Sequence, residues 1–220
     1  MIRIENLWKT FGRGHTTNCV ARDLCVAIPN GISLGLLGRN GAGKSTLLKM
    51  IAGTLLPDSG RVSVKGSISW PVGFAGSFHG DLTGAQNTRF LARVYGVDTD
   101  SLCQTVEDFS ELGAQFHVPV KTYSAGMRAR LSFGVSMGIP FDTYLVDEVT
   151  SVGDAQFREK SKRVFMDRMN EAGAIVVSHS MPLIREICDH AAVLSNGQLY
   201  YYTDVDAAIH HHEWLCQSAA

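Results

Sequence analysis

Apolar positions along this chain follow two periods in turn. Ile2, Ile4 and Leu7 alternate loosely with polar neighbours, and Leu24, Val26 and Ile28 alternate cleanly up to the Pro29-Asn30-Gly31 turn. Both runs predict half-buried strands, antiparallel and leading into the next one. That next run, Ile32-Ser33-Leu34-Gly35-Leu36-Leu37, predicts a buried strand, while Thr46 to Ala52 carries an apolar face at helical spacing. Pro57-Asp58-Ser59-Gly60 is a turn before a strand at Arg61 to Val64. From about residue 84 to 137 the chain becomes helical and more polar, with Phe90, Leu91, Val94 and Tyr95 as its periodic apolar positions. Strand character returns at Thr143-Tyr144-Leu145-Val146. A helix follows with Asp154 as its N-cap, Phe157, Val164, Phe165 and Met169 near one face, and Gly173 as its stop. The strand Ala174 to Val177, a helix near 181–189 and a strand pair around Asn196-Gly197 complete the pattern.

Strands alternating with helices predict an α/β fold, a mostly parallel sheet with helices on its faces. The expected layout is one domain over 1–220. Its core is 1–80 and 140–205, with an antiparallel β subdomain at the N-terminus. A helical insert covers 81–139, and a short C-terminal tail covers 206–220.

Composition narrows the partners. With 220 residues, 45% of them hydrophobic, the chain can bury a substantial core. A net charge of −1 gives no electrostatic case for nucleic acid. The densest basic run, Arg158 to Arg163, is interrupted by Glu159 and reads as a solvated helix face. Five cysteines, odd in number and without C-x-x-C spacing, read as reduced, mostly buried thiols of a cytosolic protein. No run approaches the roughly 18–20 apolar residues of a membrane span, and no apolar segment opens the chain, so work at a membrane would go through a partner. His210-His211-His212 are consecutive and would diverge around a helix, so a solvated tail is expected rather than a metal site.

The chemistry begins at Gly38-Arg39-Asn40-Gly41-Ala42-Gly43-Lys44-Ser45, a complete G-x-x-x-x-G-K-[ST] phosphate loop between the buried strand and the helix opening at Thr46. Glycines let backbone N–H groups approach phosphate oxygens, and the helix N-terminus favours the anion. Lys44 would reach the β- and γ-phosphates of ATP or GTP, and Ser45 would ligate Mg²⁺. Tyr144-Leu145-Val146-Asp147-Glu148 is an apolar strand that delivers two carboxylates to the edge of the sheet where ligands bind. Asp147 would share Mg²⁺ with Ser45, and Glu148 would orient and deprotonate an attacking water.

A third motif, Lys121-Thr122-Tyr123-Ser124-Ala125-Gly126-Met127-Arg128, places Ser-x-Gly at a helix start. Phosphate loop, Ser-x-Gly, strand-Asp-Glu and then an isolated His come in the order of the nucleotide-binding subunit of an ABC transporter, which this chain resembles over essentially its whole length. The resemblance implies that Ser124, Ala125 and Gly126 form the signature that caps the γ-phosphate of ATP held by the opposite subunit. Two copies would then meet head to tail as a homodimer around sandwiched ATP. It further implies a D-loop at Ser151-Val152-Gly153-Asp154, a switch histidine at His179 beside the γ-phosphate, and adenine stacking on Phe11 or, less well matched, on Trp8. The family's Q-loop glutamine is missing: Trp70-Pro71-Val72-Gly73-Phe74-Ala75-Gly76 holds neither Gln nor Glu, and Gln86 comes too late.

Trp70-Pro71, the run Phe78-His79-Gly80-Asp81-Leu82-Thr83-Gly84 and the Tyr-Ser-Ala-Gly-Met-Arg-Ala-Arg-Leu stretch at 123–131 resemble the capsular polysaccharide export ATPases of Gram-negative bacteria. Close relatives of that group export O-antigen or teichoic acid. The short stretch beyond the last expected strand leaves no room for the carbohydrate-binding domain of many O-antigen exporters, which favours capsule export. The resemblance implies an ATPase using ATP and Mg²⁺, seated at the cytoplasmic face of the inner membrane beneath an integral permease. The permease would make most of the contact with the polysaccharide. Permease contact is expected from the 70–95 region, with Phe74, Phe78 and Leu82 forming an apolar groove. Two rivals lack support. A soluble ABC-type ATPase of DNA repair or translation would bring coiled coils, tandem domains or basic faces. A small phosphate-loop kinase would lack the signature, Glu148 and His179.

Overall fold

The computed structural model describes residues 1–12, 17–72, 76, 78–147 and 154–218. They fall into two compact units, one of Met1–Pro71, Phe141–Glu148 and Met169–Ala220, the other of Val72–Pro140 and Val149–Arg168. The first contains β1 (Ile2–Phe11), β2 (Asn18–Ile28), β3 (Ser33–Leu37), α1 (Lys44–Ile51), β4 (Ser59–Val64) and β5 (Ile68–Pro71). The second contains α2 (Gly84–Tyr95), α3 (Thr99–Ser110), α4 (Ala125–Gly138) and most of α5 (Ala155–Glu171). The chain supplies β6 (Thr143–Asp147), β7 (Gly173–Val177), α6 (Met181–Ile187), β8 (His190–Ser195), β9 (Gln198–Tyr202) and α7 (Val205–Gln217) to the first unit.

In the first unit β2, β1 and β4 form an antiparallel sheet in that order. Ile2, Ile4 and Leu7 on β1 and Leu24 and Ile28 on β2 face the core, each less than a twentieth exposed. The loose alternation of β1 has a local cause. Asn6 and Asp23 take left-handed backbone (φ 47° and 53°), and the Asn6 amide donates to Asp23 Oδ1 at 3.0 Å. The β1–β2 register shifts beside this pair, between Ile4 and Leu7.

The larger sheet has the order β5-β6-β7-β3-β8-β9 and is parallel except for the β8–β9 hairpin. Every residue of β3 and β7 is buried, which is why apolar residues run on without polar alternation from Leu34 to Leu37 and from Ala174 to Val177. The register Leu34↔Ile175 and Leu34↔His190 sets β3 between β7 and β8. The loops after β3, β6, β7 and β8 therefore leave from one edge, at a point where strand order reverses. β5 escapes the sequence pattern because it is a four-residue edge strand ending in proline. It joins β6 partly through a side chain, with Leu145 N–H donating to Ser69 Oγ at 2.9 Å.

The segment expected as a solvated tail is instead the helix α7. Asp204 caps it, accepting from the N–H groups of Asp206 and Ala207, and Ala208 and Ile209 are fully buried. Val205, Ala208, Ile209, His212 and Leu215 recur at helical spacing, so the His triplet belongs to an amphipathic helix packed on β3, β8 and β9. His211 Nδ1 lies 2.8 Å from the Tyr202 hydroxyl.

In the helical unit, Thr83 and Gln86 close a capping box on α2, and Asp154 Oδ1 accepts from Phe157 N–H at 2.9 Å as the N-cap of α5. Phe109 stacks on Phe133 (5.5 Å) and meets the edge of Phe157 (5.2 Å), over which the Arg130 guanidinium lies at 4.2 Å. The apolar set of α2 does not share one core face. Leu91 is buried, whereas Phe90, Val94 and Tyr95 are 55%, 57% and 42% exposed. Spacing alone could not separate a core stripe from an apolar outer one.

Candidate functional site

The phosphate loop is built by close approach. A Cβ on Gly38 (φ 150°) would lie 2.5 Å from the Leu194 carbonyl oxygen of β8, and one on Gly43 (φ 102°) 2.1 Å from Val20 Cγ1 of β2. Only glycine lets the chain pass at these two points. Gly43 starts α1 without a side-chain cap, and no acidic residue sits in the first turn. The leading N–H groups of the helix are thus kept for an anion. Lys44 is nine-tenths buried, and its Nζ donates to the carbonyl oxygens of Gly38 (2.6 Å) and Arg39 (3.1 Å).

An open cleft of about 580 Å³ lies over this loop, within the ~300–1,000 Å³ range of small-molecule sites. Asn40, Gly41, Gly43, Lys44, Ser45 and Thr46 form its floor, His179 and Val177 one wall, and Phe11 with Asn18 and Val20 another. Phe11, and not Trp8, reaches the cleft. Gly38, Arg39 and Ala42 line instead a second cavity of about 220 Å³, which shares Asn40 and Gly41 with the cleft and reaches Cys19, Asn196 and His212. Asp147 ends β6 opposite Val177 of β7, with Ser178 and His179 following directly. The aspartate, the histidine and the phosphate loop thus leave the same sheet edge. Glu148, Gly153, Ser151, Val152, Gly73 and Phe74 lie outside the described residues.

Asn18, Val20 and Val177 carry no site signal in the sequence. Asn18 gains its place only through the β1–β2 register, which sets it opposite Phe11. His212 was read as solvated, but burial, and then the Lys44 charge, hold its imidazole below the ordinary value.

In the helical unit Ser124 is the N-cap of α4, its Oγ accepting from Met127 N–H at 3.2 Å. Ser124, Ala125 and Gly126 are all exposed, so this helix start faces solvent. The tyrosine just before the Ser-x-Gly motif is absorbed by the core. Tyr123 is 3% exposed, its hydroxyl donates to the Gln115 carbonyl at 2.5 Å, and the Arg128 guanidinium donates to the Tyr123 backbone carbonyl at 2.7 Å. Asp154 pairs with Arg130 at 3.1 Å. The N–H of Phe157, then Arg130, hold its carboxyl below the usual range. Gln86 is occupied locally, accepting from Thr83 N–H at 2.9 Å. The thiols are less buried than expected. Cys103 and Cys188 are buried, Cys19 is half-buried, and Cys25 and Cys216 are exposed.

Comparison with known proteins agrees with this geometry. The ABC transporter family model matches residues 21–151. The chain is 49% identical over 212 residues to the polysialic acid transport ATP-binding protein KpsT of Escherichia coli, covering 95% of each chain. It is 42% identical over 215 residues to the capsule polysaccharide export ATP-binding protein CtrD of Neisseria meningitidis, covering 98% of this chain and 100% of that one. Among solved structures, an ATP binding subunit of an ABC transporter superposes with a TM-score of 0.77 at 22% identity, covering 96% of this chain and 93% of that one. The fold is that of an ABC cassette.

Proposed function

This chain belongs to the ABC transporter family, and from that premise we propose that it is the ATP-hydrolysing subunit of an exporter that carries capsular polysaccharide across the bacterial inner membrane. The observation that carries the reading is the cleft itself, which brings Lys44, Ser45, His179 and Phe11 to one sheet edge with Asp147 beside them. Near-full-length likeness to proteins named for capsule polysaccharide export and polysialic acid transport supports the cargo.

In this reading Phe11 stacks on adenine, the loop N–H groups and Lys44 hold the phosphates, and His179 meets the γ-phosphate. Ser45 and Asp147 offer the hard oxygen donors that Mg²⁺ takes and would hold it, where it supplies neutralisation of phosphate charge. Glu148 takes the proton of the attacking water. Ser124, Ala125 and Gly126 cap the γ-phosphate of ATP on a second copy, their exposed helix start offering N–H groups to the anion. Gly153 and Asp154 form the D-loop. The arrangement is a homodimer closed around ATP and reopened by hydrolysis.

No helix among the described residues is long and apolar enough to cross a membrane. The chain would sit at the cytoplasmic face, docked on an integral permease that handles the polysaccharide. Phe78 and Leu82 are half-buried, and the more exposed apolar face is Phe90, Val94 and Tyr95 of α2, which suits a coupling helix of the permease.

The test is Glu148→Gln. Turnover should fall below detection while ATP and Mg²⁺ drive the purified chain into a dimer on a sizing column. A variant that still hydrolyses ATP at the wild-type rate would remove Glu148 from its role.

A further inference from the structure

We propose that Asp58 and Lys9 are positioning residues for nucleotide binding, fixing the Phe11 ring at the mouth of the cleft. The proposal rests on the reading of Phe11 as the platform for the base. It begins with a defect in the sheet. β1 pairs with β4 only from Ile2↔Val64 to Trp8↔Ser59, so among the described residues the last positions of β1 have no strand on that side. On the other side Thr10 and Phe11 still pair with Cys19 and Asn18. A strand end held along one edge only would fray, and Phe11 is at that end.

Asp58 takes the place of the missing strand. Its own N–H donates to the Trp8 carbonyl at 2.8 Å. Its carboxylate then reaches along β1, where Oδ2 accepts from Thr10 N–H at 2.6 Å and from the Thr10 hydroxyl at 3.0 Å. Oδ1 accepts from Lys9 Nζ at 2.8 Å, and the same ammonium donates to the Leu56 carbonyl at 2.9 Å. Lys9 is thereby pinned although it sits beside an exposed strand end, and its side chain is only 13% exposed. The pinned Nζ lies 5.3 Å from the centroid of the Phe11 ring, within reach of a cation–π contact. Lys9 does not line the cleft and Phe11 does, so the ammonium meets the ring from outside the cleft. Phe11 is 43% exposed, and among the described residues no apolar cluster buries its ring.

The charge on Asp58 is secure at any physiological pH. Lys9 and the two Thr10 donors hold its carboxyl at about 2. Two residues outside the phosphate site thus decide where the base platform stands. A stacking surface held in place before binding loses less freedom when the base arrives.

The test compares two ligands on the purified full-length chain by calorimetry: ATP with Mg²⁺, which carries a base, and inorganic tripolyphosphate with Mg²⁺, which does not. Asp58→Ala should weaken ATP about threefold to tenfold and leave tripolyphosphate within about twofold. Lys9→Met should move ATP in the same direction. In a Phe11→Ala background, Asp58→Ala should change ATP affinity no further, because both substitutions remove one platform. Equal losses for the two ligands, or an ATP loss that persists in the Phe11→Ala background, would overturn the positioning role and make Asp58 a fold residue only. If Phe11→Ala alone leaves ATP affinity unchanged, the platform reading itself fails, a result separate from anything Asp58 does. Should Asp58→Ala not fold, Lys9→Met and Asp58→Asn, which keeps an oxygen for Thr10, decide the matter by the same ratio.

Discussion

Lys44 Nζ lies 2.6 Å from the carbonyl oxygen of Gly38, the residue that opens its own loop. The ammonium is buried, and loop carbonyls surround it where phosphate oxygens would be met. Charge-assisted bonds to phosphate are worth about 1.5–3 kcal/mol each. Lys44→Ala should therefore weaken ATP at least about a hundredfold, measured by calorimetry or with a fluorescent nucleotide. Unchanged affinity would remove the loop from phosphate binding.

Gly43 is held by space as well as by dihedral, with Val20 Cγ1 only 2.1 Å from the position of an added Cβ. Gly43→Ala should cost roughly 2–4 kcal/mol, from left-handed strain and a forced shift of β2. A fall in the thermal midpoint of roughly 5–15 °C is expected. Gly41→Ala has the strain (φ 80°) but nothing within 4 Å, and should cost less. Equal losses at the two positions would contradict the close approach of β2 to the loop.

Acid should reveal the Asp58 contact. Its folded value, about 2, is below the ordinary 3.8. The carboxylate therefore contributes stability that is complete above 3.8 and is lost as pH falls from there toward about 2. Wild type should exceed Asp58→Asn in urea midpoint at pH 6, and the gap should narrow at pH 3. A gap that widens on acidification would reverse the sign of this account.

Thiol reactivity separates the cysteines. Burial, with Asp189 adding, pushes the Cys188 thiol up to about 12, and burial also raises Cys103. Reaction requires the thiolate and access. An aromatic disulfide reagent should label Cys25 and Cys216 rapidly in the native chain, and Cys103 and Cys188 only after unfolding. Fast native labelling of Cys188 would contradict its place under β3, where Ile184 and Cys188 crowd Gly35.

The parallel core is legible because the middles of β3, β6 and β7 are buried on both faces and so carry short apolar runs such as Tyr144-Leu145-Val146 and Ala174 to Val177. The phosphate loop was legible because close backbone approach leaves only glycine at Gly38 and Gly43. Other features depend on pairing, which a linear pattern does not carry. Asn18 joins the cleft through strand register, and Asp58 serves β1 from a turn that reads only as a turn. β5 is too short, and too soon ended by Pro71, to announce itself. α7 is hidden for a different reason: three consecutive histidines lie across the stripe of Val205, Ala208, Ile209 and His212 and dilute its apolar signal. On α2 the spacing marks Phe90, Val94 and Tyr95 as apolar positions of a helix but does not say which way they face, and that face is turned outward.

The central claim, that ATP hydrolysis in this cleft drives polysaccharide export, is tested most directly by locating the polymer in a strain lacking the gene. The strain is complemented with wild type, Lys44→Ala or Glu148→Gln. The account predicts polymer retained inside the cell, returned to the surface by wild type alone. Normal surface polymer in the deletion strain, or full rescue by either variant, would contradict it.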